Sequence, residues 1–207
     1  MAPRKDRTDK KTRILQALDR CLRKKPFDRT SIKDIAETAG VNHGLLHYYF
    51  KSKEDILIQY IDYILEYYKS TFNEWLASKQ TEGGSAQKLL EEFFQFMNEK
   101  ITLNKNLSTV FIEIWEIALY NRKVRSRLQR TYQAWIDVLT DMLTPLTQDT
   151  AGARRSGIAT VAFLEGMALF SVILQQETAG LKGALEEFQR KIIAAVKETA
   201  PAGGQGR

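Results

Sequence analysis

Both histidines of the chain, His43 and His47, lie four residues apart in a short segment that also contains Gly44. Four residues are slightly more than one helical turn, so a helix would carry both imidazoles on one face. Imidazoles at this spacing suit either a zinc ion or donation to guanine, and zinc needs further Cys, Asp or Glu ligands. No such ligand stands beside them on that face, so the sequence favours contact with DNA and predicts no metal site.

Two short helical patterns around a turn at Gly40 must position these histidines. The first pattern starts at Ser31, an N-cap residue with Asp34 three positions later, in a shortened capping box. Gly40 permits the positive φ that ends a helix, and Asn42 is a suitable cap for a second helix over residues 43–50. The spacing therefore predicts a helix-turn-helix whose second helix enters DNA.

The basic residues are concentrated at the same end of the chain. Residues 1–53 hold 14 Lys or Arg against 6 Asp or Glu, a net of +8, whereas residues 54–207 hold 17 against 19, a net of −2. A basic cluster neutralises phosphates and releases counterions, so DNA binding should weaken as salt rises. Solvated surface lysines would give the same count, but the adjacent helix-turn-helix favours DNA. Residues 1–9 are expected to be a mobile basic arm that either reaches DNA or has no role.

Residues 30–57, TSIKDIAETAGVNHGLLHYYFKSKEDIL, resemble the DNA-binding segment of the tetracycline-repressor (TetR) family of bacterial regulators. The positions that match this family in type and spacing are Ile35, Ala36, Ala39, Gly40, Val41, Gly44, Leu46, Phe50 and Lys53. The segment departs from the pattern at Asn42, His47 and Tyr49, where Ser, Tyr and His are usual. These departures affect the expected operator sequence. The resemblance implies a homodimer that binds a double-stranded DNA operator and responds to a small-molecule effector.

Position in this motif and side-chain chemistry together define two sets of expected DNA contacts. Lys and His donate to guanine, Asn pairs with adenine, and glycine allows close approach of the backbone. The expected base contacts are Lys33, Asn42, His43, Gly44 and His47. The expected phosphate contacts, which the resemblance implies, are Ser31, Leu45, Tyr48, Tyr49, Lys51 and Lys53.

The two histidines also predict a pH dependence of DNA binding. An imidazole ordinarily gains a positive charge as pH falls toward about 6, which would increase attraction to the groove. We therefore expect DNA affinity to increase between pH 8 and about 6, measured by fluorescence anisotropy of a labelled operator. A flat profile would count against histidine contacts.

The rest of the chain is predicted to be helical. Helix one is expected from Lys10 to Lys24, and a long helix from Lys53 to Leu76 keeps a 3.6-residue apolar period. Further helices are expected at 86–101, 107–119, 122–144, 151–177 and 181–198, with breaks at 104–106, Asn121, Pro145 and 179–180. The predicted fold class is therefore all-α. It comprises a three-helix helix-turn-helix head (1–52), a larger helical ligand-binding and dimerisation domain (53–198), and a disordered tail (199–207).

The second domain carries more aromatic side chains than a small helical bundle needs. A cavity lined by them would suit an apolar, aromatic or cationic effector, although the same residues would also make a solid core. The resemblance favours a pocket, because the larger domain of the family typically holds an effector. The candidate lining residues are Phe93, Phe96, Met97, Phe111, Trp115, Tyr120, Trp135 and Phe163. Glu113 and Glu116 lie among them and either bind a cation or hydroxyl or face solvent.

The last two helical patterns predict a dimer interface. The first is apolar over more than one face and contains Gly166, which destabilises a helix by about 1 kcal/mol relative to Ala unless close packing compensates. Two such helices from each subunit would form a four-helix bundle about a two-fold axis, as in the family. The expected interface residues are Ile158, Ala162, Glu165, Gly166, Leu169, Ile173, Leu185 and Phe188. The alternative is a monomer that buries both helices internally.

Composition narrows the functional class. The 207 residues, of which 43% are hydrophobic, suffice for one ordinary domain or a small domain joined to a larger one. The single cysteine has no disulfide partner, and neither a leader nor an apolar run near 18 residues is recognised, so a cytoplasmic location is expected. Outside the head the chain has no His or Cys, so neither an enzyme activity nor a cofactor is expected.

The sequence predicts a ligand-responsive transcriptional repressor; the alternative is a DNA-binding regulator without a small-molecule effector, controlled by a protein partner or by abundance.

Overall fold

The structure, a computed structural model, describes residues 4–80, 85–174 and 178–199. In these ranges every regular element is helical, which confirms the all-α fold class with its N-terminal helix-turn-helix. The elements are α1 (Arg4–Leu22), α2 (Ile32–Ala39), α3 (His43–Tyr49), α4 (Lys53–Gln80), α5 (Ala86–Met97), a π-helical turn (Asn98–Thr102), α6 (Lys105–Tyr120), α7 (Arg122–Thr147), α8 (Thr150–Ile173) and α9 (Thr178–Thr199).

Helices α1 to α3 form the head around a small apolar core. Ile14, Leu18, Ile35 and Leu46 are almost completely buried there. Arg13 of α1 donates from Nη2 to the carbonyl oxygen of Ala39 at 3.0 Å and so binds the end of α2. Helix α1 packs against α2, and its buried apolar residues form part of the core of the head.

Several predicted helix boundaries are wrong. Helix α1 begins at Arg4, so residues 4–9 extend the helix instead of forming a mobile arm, consistent with the absence of Gly or Pro from this stretch. Helix α7 continues through Pro145 to Thr147, although proline supplies no N–H to the helix at this position. Helix α9 includes residues 179–180, where a break was expected. The predicted end of the eighth helix at 175–177 and the tail at 200–207 lie outside the described residues.

The chain divides into two compact units that differ from the boundary expected at residues 52 and 53. Unit 1 comprises Met1–Asn73 and Thr109–Leu128, and unit 2 comprises Glu74–Ser108 and Gln129–Arg207. Side-chain hydrogen bonds attach parts of α6 and α7 to unit 1. Asn121 donates from Nδ2 to Glu54 Oε1 at 2.8 Å, and Arg127 donates from Nη2 to Asp62 Oδ2 at 3.1 Å.

Unit 2 has its own apolar core. Leu164, Met167, Leu181 and Leu185 form a buried cluster, against which the partly buried Met97, Leu103 and Phe163 pack. This cluster joins α8 and α9 to the end of α5 and the π-helical turn, so the last two helices are already partly buried within one subunit.

Candidate nucleic-acid interface

The start of α2 is held by a complete capping box. The Ser31 hydroxyl accepts a hydrogen bond from the Asp34 N–H at 3.1 Å, and the Ser31 N–H donates to Asp34 Oδ2 at 2.7 Å. Lys25 donates to the same carboxylate oxygen at 2.6 Å, and together these donors hold the pKa of Asp34 well below its usual value. The Ser31 hydroxyl also donates to Asp34 at 2.7 Å. Ser31 is therefore a helix cap, and its expected phosphate contact remains a prediction.

The turn between α2 and α3 has the backbone geometry that the sequence predicts. Gly40 adopts φ 63°, in the left-handed region that favours glycine, and its N–H reaches the last carbonyls of α2. Asn42 then caps α3, with its Oδ1 accepting from the Gly44 N–H at 2.8 Å. While its Oδ1 caps the helix, Asn42 keeps Nδ2 available as a donor to a base.

Helix α3 has one buried face and one exposed face. Leu46, and Phe50 just after the helix, point into the core of the head, whereas His43, Gly44 and His47 are exposed. The two imidazole rings are edge to face, with centroids 4.9 Å apart. In the described ranges, no group of three His, Cys, Asp or Glu side chains is arranged to hold a metal ion. The exposed face therefore offers hydrogen-bond donors and a glycine that permits close approach.

Lys33 completes the set of predicted base contacts. It lies on α2 with its side chain 80% exposed, and its ion pair with Glu37 is long, at 3.9 Å. A pair this exposed contributes little, so Lys33 can exchange its carboxylate partner for a DNA acceptor at small cost. All five predicted base contacts are thus exposed in the head.

The predicted phosphate contacts differ in their exposure. Tyr48 and Lys51 are exposed, whereas Leu45 and Tyr49 are half-buried. The Lys51 N–H donates to Asp55 Oδ2 at 2.8 Å, which fixes the backbone between α3 and α4. Their positions on or just after α3 are compatible with the predicted contacts, which remain predictions.

Lys53 has a structural role that the sequence motif did not reveal. Its Nζ donates to the carbonyl oxygens of Phe27 at 2.8 Å and Asp28 at 3.3 Å, and it lies 4.3 Å from the centre of the Phe27 ring. On the same turn, the Phe27 N–H donates to Glu113 Oε2 at 2.9 Å. Lys53 therefore stabilises the α1–α2 turn, and its expected phosphate contact remains a prediction. Glu113 therefore binds a backbone N–H, a role that differs from both roles predicted for it.

Replacing Lys53 by Ala should destabilise the protein, whereas replacing Lys51 by Ala should not. Lys53→Ala loses two carbonyl hydrogen bonds and a cation–π contact, so we expect the free energy of unfolding to fall by about 1 to 3 kcal/mol. Lys51→Ala should stay within about 0.5 kcal/mol and instead lower the salt dependence of DNA binding. Urea denaturation and binding titrations measure both quantities. If Lys53→Ala were as stable as the wild type and its DNA affinity depended less on salt, Lys53 would be a phosphate contact and would not stabilise the turn.

The predicted effector-pocket residues are divided between the two units. Phe111, Trp115 and Tyr120 belong to unit 1; Phe93, Phe96, Met97, Trp135 and Phe163 belong to unit 2. In unit 2, Trp75 stacks on Phe96 with a centroid distance of 5.1 Å and meets Phe93 edge to face. This part of the aromatic cluster is packed core.

Tyr120 does not fit the pocket prediction. It is 88% exposed at the last residue of α6, because the helix ends there and Asn121 starts the next one. Met97, Trp115, Trp135 and Phe163 are half-buried and remain the pocket candidates with accessible surface.

Helix α8 has two apolar faces. One is buried inside the subunit and comprises Ala153, Gly157, Thr160, Leu164, Met167 and Ser171. The opposite face carries Ile158, Ala162 and Ile173, which are exposed, and Leu169, which is half-buried. A Cβ atom added at Gly166 would meet no atom within 4 Å. Six of the eight predicted interface residues, Ile158, Ala162, Glu165, Gly166, Leu169 and Ile173, lie along this face; we call it the α8 stripe.

The two predicted interface residues on α9 fit less well. Leu185 is 0% exposed in the core cluster of unit 2, so it is unavailable to a partner, which corrects that prediction. Phe188 stacks on Phe163 with ring centroids 3.8 Å apart and is half-buried. The sequence could not separate these cases, because the same apolar spacing serves an internal and an external contact.

The two apolar faces give α8 the composition of a membrane span. It is the one helix in the described ranges that is long and apolar enough to cross a membrane, and a third of its most apolar stretch is buried inside the structure. The expectation that no apolar run reaches this length is therefore wrong. Burial of one face explains part of this apolar character; the α8 stripe carries the rest.

Comparison with known proteins bears on the head just described. Residues 14–60 match the model of a family described as bacterial regulatory proteins, tetR family. The helix-turn-helix head of this chain is therefore a TetR-family DNA-binding segment. This confirms the resemblance seen in the sequence, and it agrees with the expectation that the chain is not an enzyme, because the family consists of regulatory proteins.

Two relatives are similar to this chain over part of their length. The HTH-type transcriptional regulator YerO of Bacillus subtilis is 28% identical over 132 residues, which is 60% of this chain and 45% of that protein. The HTH-type transcriptional regulator EthR of Mycolicibacterium smegmatis is 33% identical over 70 residues, which is 34% of this chain and 32% of that protein. This chain thus spans less than half the length of the two relatives that it matches.

Solved structures share the fold over most of the chain. A TetR transcription regulator from Haloarcula marismortui has a TM-score of 0.73 and 20% identity, covering 93% of this chain and 98% of that one. A regulator from Saccharomonospora viridis in complex with choline has a TM-score of 0.71 at 19% identity over 88% and 96%. FadR from Bacillus subtilis in complex with stearoyl-CoA has a TM-score of 0.66 at 20% identity over 91% and 98%. At these identities the likeness shows the fold alone.

Proposed function

We propose that this chain is a cytoplasmic transcriptional repressor of the TetR family that binds a palindromic DNA operator as a homodimer and is released by a small-molecule effector. One observation carries the proposal: the exposed face of α3, whose opposite side is anchored in the core by Leu46 and Phe50. A short helix held in this way presents His43, Gly44 and His47 in fixed register, as direct readout of bases requires.

The charge distribution and the α8 stripe support the remaining parts of this proposal. The net charge of +8 in residues 1–53 suits a phosphate backbone. The α8 stripe offers an apolar surface on which a second copy can pack, and a two-fold dimer places two heads in successive major grooves about 34 Å apart. Palindromic half-sites follow from that symmetry.

An effector that is apolar, aromatic or cationic is proposed for the second domain. The two related folds solved with stearoyl-CoA and choline hold an acyl thioester and a quaternary amine, so proteins of this fold accept both apolar and cationic ligands. Release requires that the effector bind one dimer state more tightly than the other. A coupling free energy of about 1 to 3 kcal/mol changes operator affinity from several-fold to over a hundred-fold.

Selection of bound sequences from random DNA tests the DNA part of this proposal. We expect a palindrome with half-sites one helical turn apart, and we expect no enrichment if the head does not read bases. A thermal-shift screen of the same protein against apolar and cationic compounds tests the effector part. If no compound raises the melting temperature or changes operator affinity, regulation by a protein partner or by abundance replaces the effector.

Replacing His43 or Lys33 by Ala should weaken binding to the selected operator by about 1 to 3 kcal/mol and relax its sequence preference. The reason is that each side chain can donate to a base edge, so its loss affects only the matching sequence. Lys51→Ala is the matched control, because a phosphate contact is lost equally on every duplex. Anisotropy titrations with the operator and a scrambled duplex measure the difference. An equal loss on both duplexes for His43→Ala would refute the base contact.

A further inference from the structure

A groove in unit 1 gathers hydrogen-bond donors beside the recognition helix. It is open to solvent, has a volume of about 580 Å³, and lies between α1, the end of α3 and α4. Its lining residues are Lys11, Thr12, Leu15, Tyr49, Gln59, Asp62 and Tyr63. One ammonium, three hydroxyls and one carboxamide thus surround this space, and Leu15 is the only aliphatic residue among them.

The two carboxylates near this groove accept hydrogen bonds within the protein, and one of them is paired with an arginine. Asp62, which lines it, receives a bidentate pair of hydrogen bonds from Arg127, through Nε at 2.5 Å and Nη2 at 3.1 Å. Asp55, close to Lys11, accepts from the Lys51 N–H at 2.8 Å and from Gln59 Nε2 at 2.9 Å. The charge of Lys11 is partly balanced by the nearby Asp55 carboxylate, and the groove lies in a head with a strong basic excess.

The position of Lys11 places the groove beside the C-terminal end of α3. Its Nζ lies 6.0 Å from the centre of the Phe50 ring, at the residue where α3 ends. Tyr49, an expected phosphate contact, lines the same groove from α3. An ammonium with several hydroxyl donors is the donor set that protein surfaces use for phosphate oxygens.

We propose that this groove binds a phosphate of the operator backbone, with Lys11 of α1 as its charged contact and the hydroxyls of Tyr49 and Tyr63 as neutral donors. This inference rests on the proposed function. It extends the DNA contacts from α2 and α3 to α1, which no sequence motif marked. A phosphate held between α1 and α3 would set the angle at which α3 enters the major groove, because phosphate contacts orient a protein on the duplex.

Lys11→Ala tests the groove, with Lys24→Ala as the matched control. Lys24 is an exposed lysine in the turn that follows α1, away from the groove lining. We expect Lys11→Ala to lower affinity about 3- to 20-fold on the selected operator and on a scrambled duplex alike, and to reduce the slope of log affinity against log salt by about 1. Lys11→Arg should restore the slope, and Lys24→Ala should bind like the wild type. Tyr63→Phe should lower affinity and leave the slope unchanged, because it removes no charge.

Three results would overturn the inference. Lys11→Ala could bind DNA like Lys24→Ala, it could lose affinity on the operator alone, or inorganic phosphate could bind the groove with DNA affinity unaffected by Lys11→Ala. The comparison requires that wild type and Lys11→Ala have equal melting temperatures. If Lys11→Ala lost both folding and affinity, Lys11 would act through stability instead. A wild-type protein that binds no duplex overturns the proposed function and this inference together, whereas normal binding by Lys11→Ala overturns the inference alone.

Discussion

Ala162→Arg is expected to convert the protein from a dimer to a monomer and to weaken operator binding by roughly 10² to 10⁴-fold. The factor is the avidity that is lost when two linked heads become two independent ones. Ala162 lies at the centre of the α8 stripe, between Ile158 and Leu169, and is exposed in the single subunit. Across a two-fold axis each arginine meets the same face of the partner helix, so two charges would be buried without a counter-ion.

Ala134→Arg on α7 is the matched control for this substitution. Ala134 is also an exposed alanine within a helix, and it lies outside the α8 stripe. The control should keep both the dimer and the operator affinity. Sedimentation or light scattering gives the oligomeric state, and anisotropy gives the affinity. An Ala162→Arg protein that remains a dimer would show that the α8 stripe is not the interface.

Glu165→Gln should stabilise the protein at pH 8 by on the order of 3 kcal/mol and leave its stability unchanged near pH 4. Burial on α8 raises the pKa of Glu165 to about 7 from 4.5, although a hydrogen bond from the Tyr132 hydroxyl opposes this. The unfolded chain therefore ionises first, and the folded state resists ionisation. Wild-type stability should fall as pH rises from about 4.5 to 7 and then level off, each pH unit contributing about 1.4 kcal/mol.

The amide of glutamine is neutral at every pH, so the variant should lack this slope. Glu186→Gln on α9 is the control, because Glu186 is an exposed carboxylate in the same unit. Urea denaturation at fixed protein concentration between pH 4 and 8 measures the effect on both variants. If the free energies of unfolding of wild type and Glu165→Gln changed with pH in parallel, the Glu165 carboxylate would be exposed to solvent.

The head was predictable because its structure depends on residues close in sequence. The capping box joins Ser31 to Asp34, and the turn needs only the left-handed backbone of Gly40. These interactions span three to five positions, so the types and spacing of neighbouring residues carry the information. The exposed and buried faces of α3 follow from the same short-range periodicity.

The role of Lys53 was not predictable in this way. Its motif position indicates a phosphate contact, yet its ammonium binds carbonyl oxygens 25 and 26 residues earlier in the chain. The Glu113 contact with the Phe27 N–H joins residues 86 apart. Contacts of this kind depend on how helices pack, and a motif read along one helix contains no information about them.

The sequence by itself determined the helical class, the helix-turn-helix and the family, because each depends on local periodicity, capping and a fixed spacing of residue types. Only the tertiary structure decided which apolar residues are core and which are surface. Leu185 is buried and Tyr120 is exposed, whereas the sequence predicted Leu185 at a dimer interface and Tyr120 in a pocket. The physical reason is that a helix face is buried only by what packs against it, and that partner comes from a distant part of the chain or from a second copy.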